Sequence, residues 1–358
     1  MAKTKTGGFP YQILLILFAG ILFFFINKQT EKKMVIEADR VMPTEYVMQP
    51  RKDYEITIKA LDEGNLVFNS SGDYYRYGPS IMTYEDGSMD AWFSAPGNSS
   101  SEWDWITYRH SDDGINWSKE QVVLKPTRGS KDNCSVCDPG VFYYNGYYYL
   151  GYTSTDYASG KGTCNSAFVA RSKKPAGPFE KWNGHGWGGN PEPIIAYEND
   201  PRGWGIGELS FVIKGDELFV YYTYFDLNGG YTGLMKADLV KNWPLTMRDM
   251  GMVCPRVNND SLDVVYAQDL DLFLAFSIDD RMSESSQVIV YKSPDGRDTF
   301  EKMDTTKKYI DDYAHNLGIS KDAYGHIDTS RPVLIGYAFG KRWGHWSTRF
   351  QYMNIVAS

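Results

Sequence analysis

The chain has 358 residues, 42% of them hydrophobic and 15% aromatic, which is enough to bury a large core. Its 34 glycines and 27 tyrosines favour turns and strands over helices, so the composition predicts an all-β protein. With 37 basic against 45 acidic residues the formal charge is -8, and Lys and Arg form no block beyond the N-terminal region, which argues against a nucleic-acid partner.

Residues 1–8 form a short N-terminal tail before an uncharged segment, Phe9–Ile26, of 18 residues. At ~1.5 Å per residue, a helix over this segment nearly crosses the ~30 Å hydrocarbon core of a bilayer. We therefore predict a single-pass membrane anchor over 9–26. A cleaved signal peptide is the alternative, although no small-x-small cleavage site follows the segment.

The membrane orientation does not follow from charge, because lysines lie on both sides of the segment: Lys3 and Lys5 before it, and Lys28, Lys32 and Lys33 after it. We expect the remainder of the chain outside the cytoplasm. Sequons that would permit glycosylation there occur at Asn69, Asn98, Asn116, Asn133 and Asn259.

Residues 27–68 are predicted to form a stalk, together with a strand in "YEITIKA" that closes a ring of sheets. Beyond them, one plan recurs: an apolar strand, a polar turn and a second apolar strand. The five segments with this plan begin at Pro79, Asp138, Gly207, Leu262 and His315. A repeat of about 60 residues suits one four-stranded blade, so we predict a five-bladed β-propeller over 69–358.

In a propeller, the first strands of all blades begin around one axial funnel, so residues distant in sequence face each other. The hairpin starts are Gly78-Pro79-Ser80, Asp138-Pro139, Gly207-Glu208, Leu262-Asp263 and His315-Asn316. Asp138, Glu208 and His315 should therefore converge on one cavity. A carboxylate pair is what glycosidic cleavage requires, one held neutral to protonate the leaving oxygen and one ionised.

With these motifs the chain resembles the five-bladed propeller glycoside hydrolases, which include the family 43 arabinanases and xylosidases and the related fructosidases. The resemblance covers about residues 70–350 and lies in short motifs. It implies that Asp138, in "CDPGVFYYNGYYYLGYTS", is the second-blade acid and that Glu208, in "GIGELSFV", is the general acid. It also implies that His315, in "AHNLG", helps to hold a central calcium ion or water; no other cofactor is expected.

One position departs from the family pattern. The first blade reads "RYGPSI", with Gly78 where the resemblance implies the base Asp. Three explanations stay open at this point: Asp138 is the base or nucleophile, a nearby acid such as Asp73 or Asp104 substitutes, or the propeller hydrolyses nothing.

Candidate substrate-binding residues flank these motifs. Trp103 and Trp105 surround Asp104 in "EWDWITY" and would share one face of a strand, suited to sugar stacking or to packing between blades. Trp204, just before Glu208, is the better candidate for a subsite. The predicted substrate-binding set is His315, Trp204, Trp105, Asp104 and Arg76. The segments at 325–328 and 341–346 resemble funnel-rim loops.

The cysteines, at positions 134, 137, 164 and 254, do not form a metal-binding pattern. We expect one disulfide among Cys134, Cys137 and Cys164 if the domain lies outside the cytoplasm. A redox pair is disfavoured because the helix and βαβ context of such motifs is absent, and buried free thiols remain the alternative.

The sequence thus predicts a membrane-anchored, extracytoplasmic glycoside hydrolase that acts on an oligo- or polysaccharide through Glu208 and Asp138. A non-catalytic carbohydrate-binding propeller is the alternative. A scaffold for protein assembly would need exposed apolar loops, for which residues 188–205 are the one extended candidate.

Overall fold

The computed structural model describes residues 53–70, 74–99, 101–156, 162–255, 260–298, 300–303 and 309–358. Across these ranges the chain is all-β, with a single short 3₁₀ helix at Trp243–Leu245. The predicted anchor, Phe9–Ile26, lies outside the described residues. Within them, no helix combines the length and apolar character needed to span a bilayer.

The strands are numbered in chain order. They are β1 Ile56–Ala60, β2 Asn65–Phe68, β3 Tyr77–Thr83, β4 Met89–Ser99, β5 Glu102–Ser111, β6 Gln121–Leu124, β7 Cys137–Tyr144, β8 Tyr147–Ser154, β9 Ser166–Ser172, β10 Glu180–Lys181, β11 Gly205–Lys214, β12 Glu217–Asp226, β13 Gly229–Asp238, β14 Arg248–Pro255, β15 Asp263–Ala267, β16 Leu272–Asp279, β17 Gln287–Ser293, β18 Glu301–Lys302, β19 Ala314–Lys321, β20 His326–Ile327, β21 Val333–Phe339 and β22 Ser347–Ala357.

The strands form four hydrogen-bonded sheets. Three contain consecutive strands: β7 to β10, β11 to β14, and β15 to β18 with β20 added beside β15. The fourth has the order β1-β22-β21-β19-β3-β4-β5-β6, with β2 also paired to β22. Two parallel pairs, Ser320 with Ile81 and Lys321 with Met82, join its two antiparallel parts.

All five predicted hairpins are confirmed, as the antiparallel pairs β3–β4, β7–β8, β11–β12, β15–β16 and β19–β21. The turn of β7–β8 consists of two residues, Asn145-Gly146, and both have positive φ, 47° and 81°. Two such residues form the turn whose twist matches the flanking strands. The segment 54–60, predicted to close the ring, contains β1, which pairs with the C-terminal β22.

The first strand of each hairpin lies beside the first strand of the next. These inner strands, β3, β7, β11, β15 and β19, form a closed ring of neighbours because β19 also contacts β3. Their backbones come close together: a Cβ on Gly318 would lie 1.8 Å from the carbonyl oxygen of Pro79. The ring can therefore close at this point only with a residue that has no side chain.

Aromatic side chains fill the space between neighbouring sheets. Phe142 of β7 packs against Tyr149 of β8 and Phe211 of β11, with both ring centroids 4.9 Å away. All three rings are buried. Truncating one buried Phe to Ala typically costs about 3–5 kcal/mol, so such contacts hold adjacent sheets in a defined register.

The predicted disulfide is absent, because all four cysteines are free thiols. Cys134, Cys137 and Cys254 are buried, and Cys164 is half-buried. The Cys137 thiol donates a hydrogen bond to Oδ2 of Asp138, 3.3 Å away. Burial, followed by the charges of Asp138 and Asp104, raises the pKa of Cys137 well above its usual value, so the sulfur keeps its proton.

Candidate active site

Four of the inner strands begin with the same bulge, in which two residues face one residue of the next strand. The first residue of each bulge has a left-handed backbone conformation. These residues are Gly78, Asp138, Glu208 and Asn316, with φ values of 56°, 50°, 52° and 48°. They are therefore structurally equivalent positions, one on each of β3, β7, β11 and β19.

In three of these bulges, the backbone N–H of the first residue donates a hydrogen bond to a side chain. That side chain lies in the preceding sheet for two of the bulges and in the segment just before β15 for the third. The backbone N–H of Asp138 donates to Oγ of Ser94, 2.7 Å away, and that of Glu208 donates to Oγ1 of Thr153, 2.8 Å away. The N–H of Asn316 donates to Oδ2 of Asp260, at 2.7 Å. These bonds help to offset the cost of a left-handed conformation in residues that carry a Cβ.

The bulges surround a narrow axial space of about 40 Å³. The lining repeats one short pattern around the axis: Gly78-Pro79-Ser80, Asp138-Pro139-Gly140, Glu208-Leu209-Ser210, Ser261-Leu262-Asp263 and Asn316-Leu317. The predicted convergence of Asp138 and Glu208 is thus present.

His315, predicted to converge on the cavity with these two acids, does not occupy the equivalent position of the last hairpin, because Asn316 does. Successive residues of a strand point to opposite sides, so this difference of one residue turns the His315 side chain away from the position.

A larger cavity of about 570 Å³ opens beside the axis, within the ~300–1,000 Å³ that small-molecule sites occupy. Among the predicted residues, Asp138, Glu208, Asp104 and Trp204 line it, and so does Trp103. The remaining lining residues are Tyr75, Tyr77, Ser135, Cys137, Thr153, Thr155, Gly162, Asn165, Phe225, Arg281, Asn316, Trp343, Gly344 and Trp346.

Asp138 and Glu208 form an electrostatically coupled pair. Burial, and after it the charge of Glu208, raises the pKa of Asp138 well above its usual range. The Thr153 hydroxyl links the two residues, since it accepts the Glu208 N–H and hydrogen-bonds the Asp138 carboxyl. Two neighbouring carboxyls in one buried site favour a state in which they hold a single proton between them.

Asp104 is a third acid on the same cavity. Its Oδ1 accepts a hydrogen bond of 2.6 Å from the Tyr75 hydroxyl, and its Oδ2 accepts one of 2.9 Å from Ser135. Burial raises the pKa of Asp104 to about 6, although both hydroxyl bonds oppose that rise. Asp104 therefore gains and loses a proton close to neutral pH.

Arg281 is a charged cavity residue that the sequence did not indicate. It follows β16, and its guanidinium donates to Oδ1 of the fully buried Asp260, 2.9 Å away. The charges of Asp260, and then of Glu208 and Asp138, raise the pKa of Arg281. The guanidinium thus partly balances the acids around the axis.

Three predicted substrate-binding residues are absent from the described lining of this cavity. Trp105 donates from Nε1 to Glu102 at 2.9 Å, and the Lys125 ammonium lies 4.0 Å from its ring centroid. Arg76 forms a two-bond ion pair with Glu120. The side chains of Trp105 and Arg76 are therefore held by other side chains of the domain, outside the lining of the cavity.

His315, the third, lies behind the cavity wall. Its side chain is 1% exposed, and its ring centroid lies 4.3 Å from that of Trp346, which does line the cavity. Burial lowers the pKa of His315 to about 4, so the imidazole is neutral at neutral pH.

The two predicted rim loops have different outcomes. Trp343, Gly344 and Trp346, from the loop 341–346, line the cavity. The segment 325–328 instead contributes β20, which pairs with β15. Among the functional residues that sequence reasoning missed, Asn316 had a signal, since "NLG" aligns with "DPG" and "ELS" at the bulges. Arg281 had none, because it comes from a loop outside the repeat.

The surroundings of His315 do not fit a calcium ion, which takes about 6–8 oxygen ligands. The rings of Trp346 and Tyr77 lie beside the imidazole, and its buried Nε2 has no hydrogen-bond partner. Across the described part of the chain, no group of three or more His, Cys, Asp and Glu side chains could hold a metal ion.

No protein-family model matches the sequence, and no curated protein matches it. Solved structures do match. A family 117 glycoside hydrolase produced by the marine bacterium Zobellia galactanivorans aligns with a TM-score of 0.57 and 16% identity, over 86% of this chain and 92% of that one. The fold is that of propeller glycoside hydrolases.

Two further solved structures show the same similarity. An α-L-arabinofuranosidase from Podospora anserina, in complex with cellotriose, has a TM-score of 0.58 and 12% identity, over 84% of this chain and 97% of that one. An endo-arabinase from Bacteroides thetaiotaomicron has a TM-score of 0.54 and 14% identity, over 80% and 96%. At these identities the similarity establishes the fold, and the chemistry has to be argued from the cavity.

Proposed function

We propose that this chain is a glycoside hydrolase that cleaves a glycosidic bond in an oligo- or polysaccharide through Glu208 and Asp138. The observation that carries the proposal is their placement: both occupy the first position of an inner-strand bulge, with φ of 52° and 50°, and both line the 570 Å³ cavity. A coupled carboxyl pair in a ligand-sized cavity can hold and deliver the proton that the leaving oxygen needs.

Within the pair, Glu208 is the member we assign as general acid. Its side chain is half-buried and one methylene longer, whereas Asp138 is 8% exposed and bonded to the Cys137 thiol. Glu208 can therefore reach a bound sugar. Asp138, behind it, keeps the shared proton in the site because its own pKa is raised by burial and by the charge of Glu208.

Asp104 is our assignment for the base that Gly78 lacks. Asp138 makes a poor base, because it takes part in holding the single proton that Glu208 delivers. Asp104 lines the same cavity with a pKa of about 6, so it is ionised at pH 7 and able to take a proton from water. Asp73, the other predicted substitute, lies outside the described residues.

We also propose that the number of blades in the propeller is five. The closed ring of five inner strands supports this number. Aromatic side chains with which sugar rings can stack line the cavity beside the acids, among them Trp103, Trp204 and Trp343. These features support a carbohydrate as the substrate. The names of two similar structures, an endo-arabinase and an α-L-arabinofuranosidase in complex with cellotriose, support the same substrate class.

A non-catalytic carbohydrate-binding propeller is the second candidate, and Gly78 is the observation that favours it. The first bulge has the same left-handed backbone as the others but no side chain to take part in chemistry. If Asp104 does not act as base, the remaining acids and aromatic rings still form a polar, aromatic binding cavity.

The decisive experiment is hydrolysis of arabinan, xylan and aryl glycosides by the full chain and by Glu208→Gln. The variant cannot donate a proton, so turnover should fall by roughly 10²–10⁴-fold while binding persists. Glu102→Gln, outside the cavity, is the matched control and should keep parental activity. Turnover that is unchanged in Glu208→Gln would refute the acid assignment, and a parent that binds glycans but hydrolyses none would favour the binding propeller.

We also propose that Phe9–Ile26 anchors the chain in a membrane with residues 34–358 outside the cytoplasm. The support is the length of the uncharged segment in the sequence. Protease added to intact cells should then digest the domain. A domain protected in intact cells but digested after lysis would show the opposite orientation.

A further inference from the structure

Asn316 connects the fourth bulge to Glu208. Its Nδ2 donates a hydrogen bond to Oε1 of Glu208, 3.2 Å away, and its side chain lines the cavity although the residue is only 7% exposed. The left-handed backbone of Asn316, φ 48°, is the same as that of Glu208. The amide thus approaches the carboxyl from an equivalent position across the ring of inner strands.

The neighbouring histidine fixes which way this amide points. Nδ1 of His315 lies 2.6 Å from Oδ1 of Asn316. An amide oxygen can only accept, so the imidazole must be the donor and carries its proton on Nδ1. Burial keeps His315 neutral at neutral pH, because it lowers the pKa to about 4. With its oxygen held by His315, the amide must present its N–H to Glu208.

Asp260 holds the backbone of the same residue. Its Oδ2 accepts the Asn316 N–H at 2.7 Å while its Oδ1 accepts from Arg281 at 2.9 Å. Asp260 is fully buried, so neither bond competes with solvent. Two ionisable groups act on Glu208 by their charge, Asp138 from β7 and Arg281 after β16, while Asp260 and His315 are hydrogen-bonded to Asn316.

We propose that Asn316 is a positioning residue that selects which oxygen of Glu208 carries the transferable proton. Because Oε1 accepts the amide N–H, the proton belongs on Oε2. A donor to a carboxylate also favours its ionised form, so Asn316 lowers the proton affinity of the Asp138–Glu208 pair. This inference rests on the proposed function, in which Glu208 delivers that proton.

The test is a carboxyl titration of the full chain without substrate, by ¹³C NMR with labelled Asp and Glu, the Glu208 signal being assigned through its loss in Glu208→Gln. Asn316→Gly removes the amide without backbone strain, because Gly78 has the same conformation in the first bulge. The midpoint of the pair should rise by about one pH unit, that is, about tenfold in proton affinity.

Asn165→Ala is the matched control. Asn165 also lines the cavity, but its Nδ2 donates to the backbone carbonyls of Gly162 and Trp204 rather than to a carboxylate. Its loss should leave the midpoint in place. An unchanged midpoint in Asn316→Gly, or an equal shift in both variants, would overturn the assignment.

Asn316→Asp covers the case in which the glycine variant does not fold. It preserves the shape of the side chain but replaces the donor by a carboxylate, so the midpoint should rise further. No rise would again overturn the proposal. Because the titration needs no substrate, a shifted midpoint in a chain that hydrolyses nothing would count against the proposed function and not against the role of Asn316 in setting the proton.

Discussion

Gly78 faces Asp138 across the first two inner strands. Both have the same left-handed backbone, and a Cβ built on Gly78 would lie 3.4 Å from Oδ1 of Asp138. That spacing is ordinary van der Waals contact, so there is room for a side chain at Gly78, at the cost of the left-handed backbone that Asp138 also adopts. Any carboxylate placed there, however, would lie against a carboxyl that already shares its proton with Glu208.

Gly78→Asp should therefore fail to raise hydrolysis. The added charge makes ionisation of the Asp138–Glu208 pair less favourable, so the basic limb of the pH–rate profile should move to higher pH. Gly78→Asn adds the same volume without charge and should leave that limb in place. A clear gain in turnover for the Asp variant alone would mean that the first-bulge base is the one missing component and that Asp104 is not the base.

Asp104→Asn should remove the proposed base. Because the pKa of Asp104 is about 6, the parental rate should fall as pH drops through about 6, where the carboxylate takes up a proton. The variant should lose roughly 10²–10⁴-fold in turnover and also this acidic limb, measured as kcat/KM against pH. Ser135→Ala keeps the carboxylate and should retain the limb, moved to higher pH because the lost hydroxyl bond lowered the pKa of Asp104. Parental turnover in Asp104→Asn would return the base role to Asp138.

Asp104→Asn should also change how the free energy of unfolding depends on pH. The folded pKa of Asp104 is raised from 3.8 to about 6, so the folded state binds its proton more tightly than the unfolded chain does. The free energy of unfolding of the parent should fall as pH rises from about 4 to about 6 through this group. Asn does not ionise, so the variant should gain stability relative to the parent over that range, measured by urea unfolding at each pH.

Trp204→Ala and Trp105→Ala form a matched pair. Trp204 lines the cavity, whereas Trp105 packs against Lys125 and Glu102 outside it. Loss of Trp204 should weaken binding of an oligosaccharide by about 0.5–1.5 kcal/mol, the additional energy of an aromatic contact, in isothermal titration calorimetry. Trp105→Ala should reduce the melting temperature and leave affinity unchanged. Equal losses of affinity in both would show that Trp204 acts only through the fold.

His110 should stabilise the domain at acidic pH. A hydrogen bond from its Nδ1, 2.8 Å from Oδ1 of the buried Asp90, is the main cause of its raised pKa. The stabilisation is complete below the unfolded pKa of about 6.5 and is lost as pH rises through the folded pKa. His110→Gln should thus destabilise at pH 5.5 more than at pH 9 in thermal unfolding. His185→Gln, at an exposed turn, should show no such difference.

The sequence by itself determined the all-β class, the five hairpins and the pair Asp138 and Glu208. These follow from local chemistry: alternation of apolar residues predicts strands, and dipeptides such as Asn145-Gly146 predict the turns between them. A repeat in sequence also becomes a repeat in space, which is how two acids 70 positions apart could be expected in one cavity.

Only the tertiary structure decided which residues line the candidate site. Equivalence around the axis depends on where each bulge begins, and a shift of one residue exchanges His315 for Asn316 because neighbouring side chains on a strand point in opposite directions. Asp104 reaches the cavity from β5, two strands out from the inner strand β3, and Arg281 reaches it from the loop after β16, outside the repeat. Trp103 and Trp105 lie two residues apart on β5, yet Trp103 lines the cavity and Trp105 does not. The packing around each ring, rather than the period of the strand, decides which ring borders the cavity.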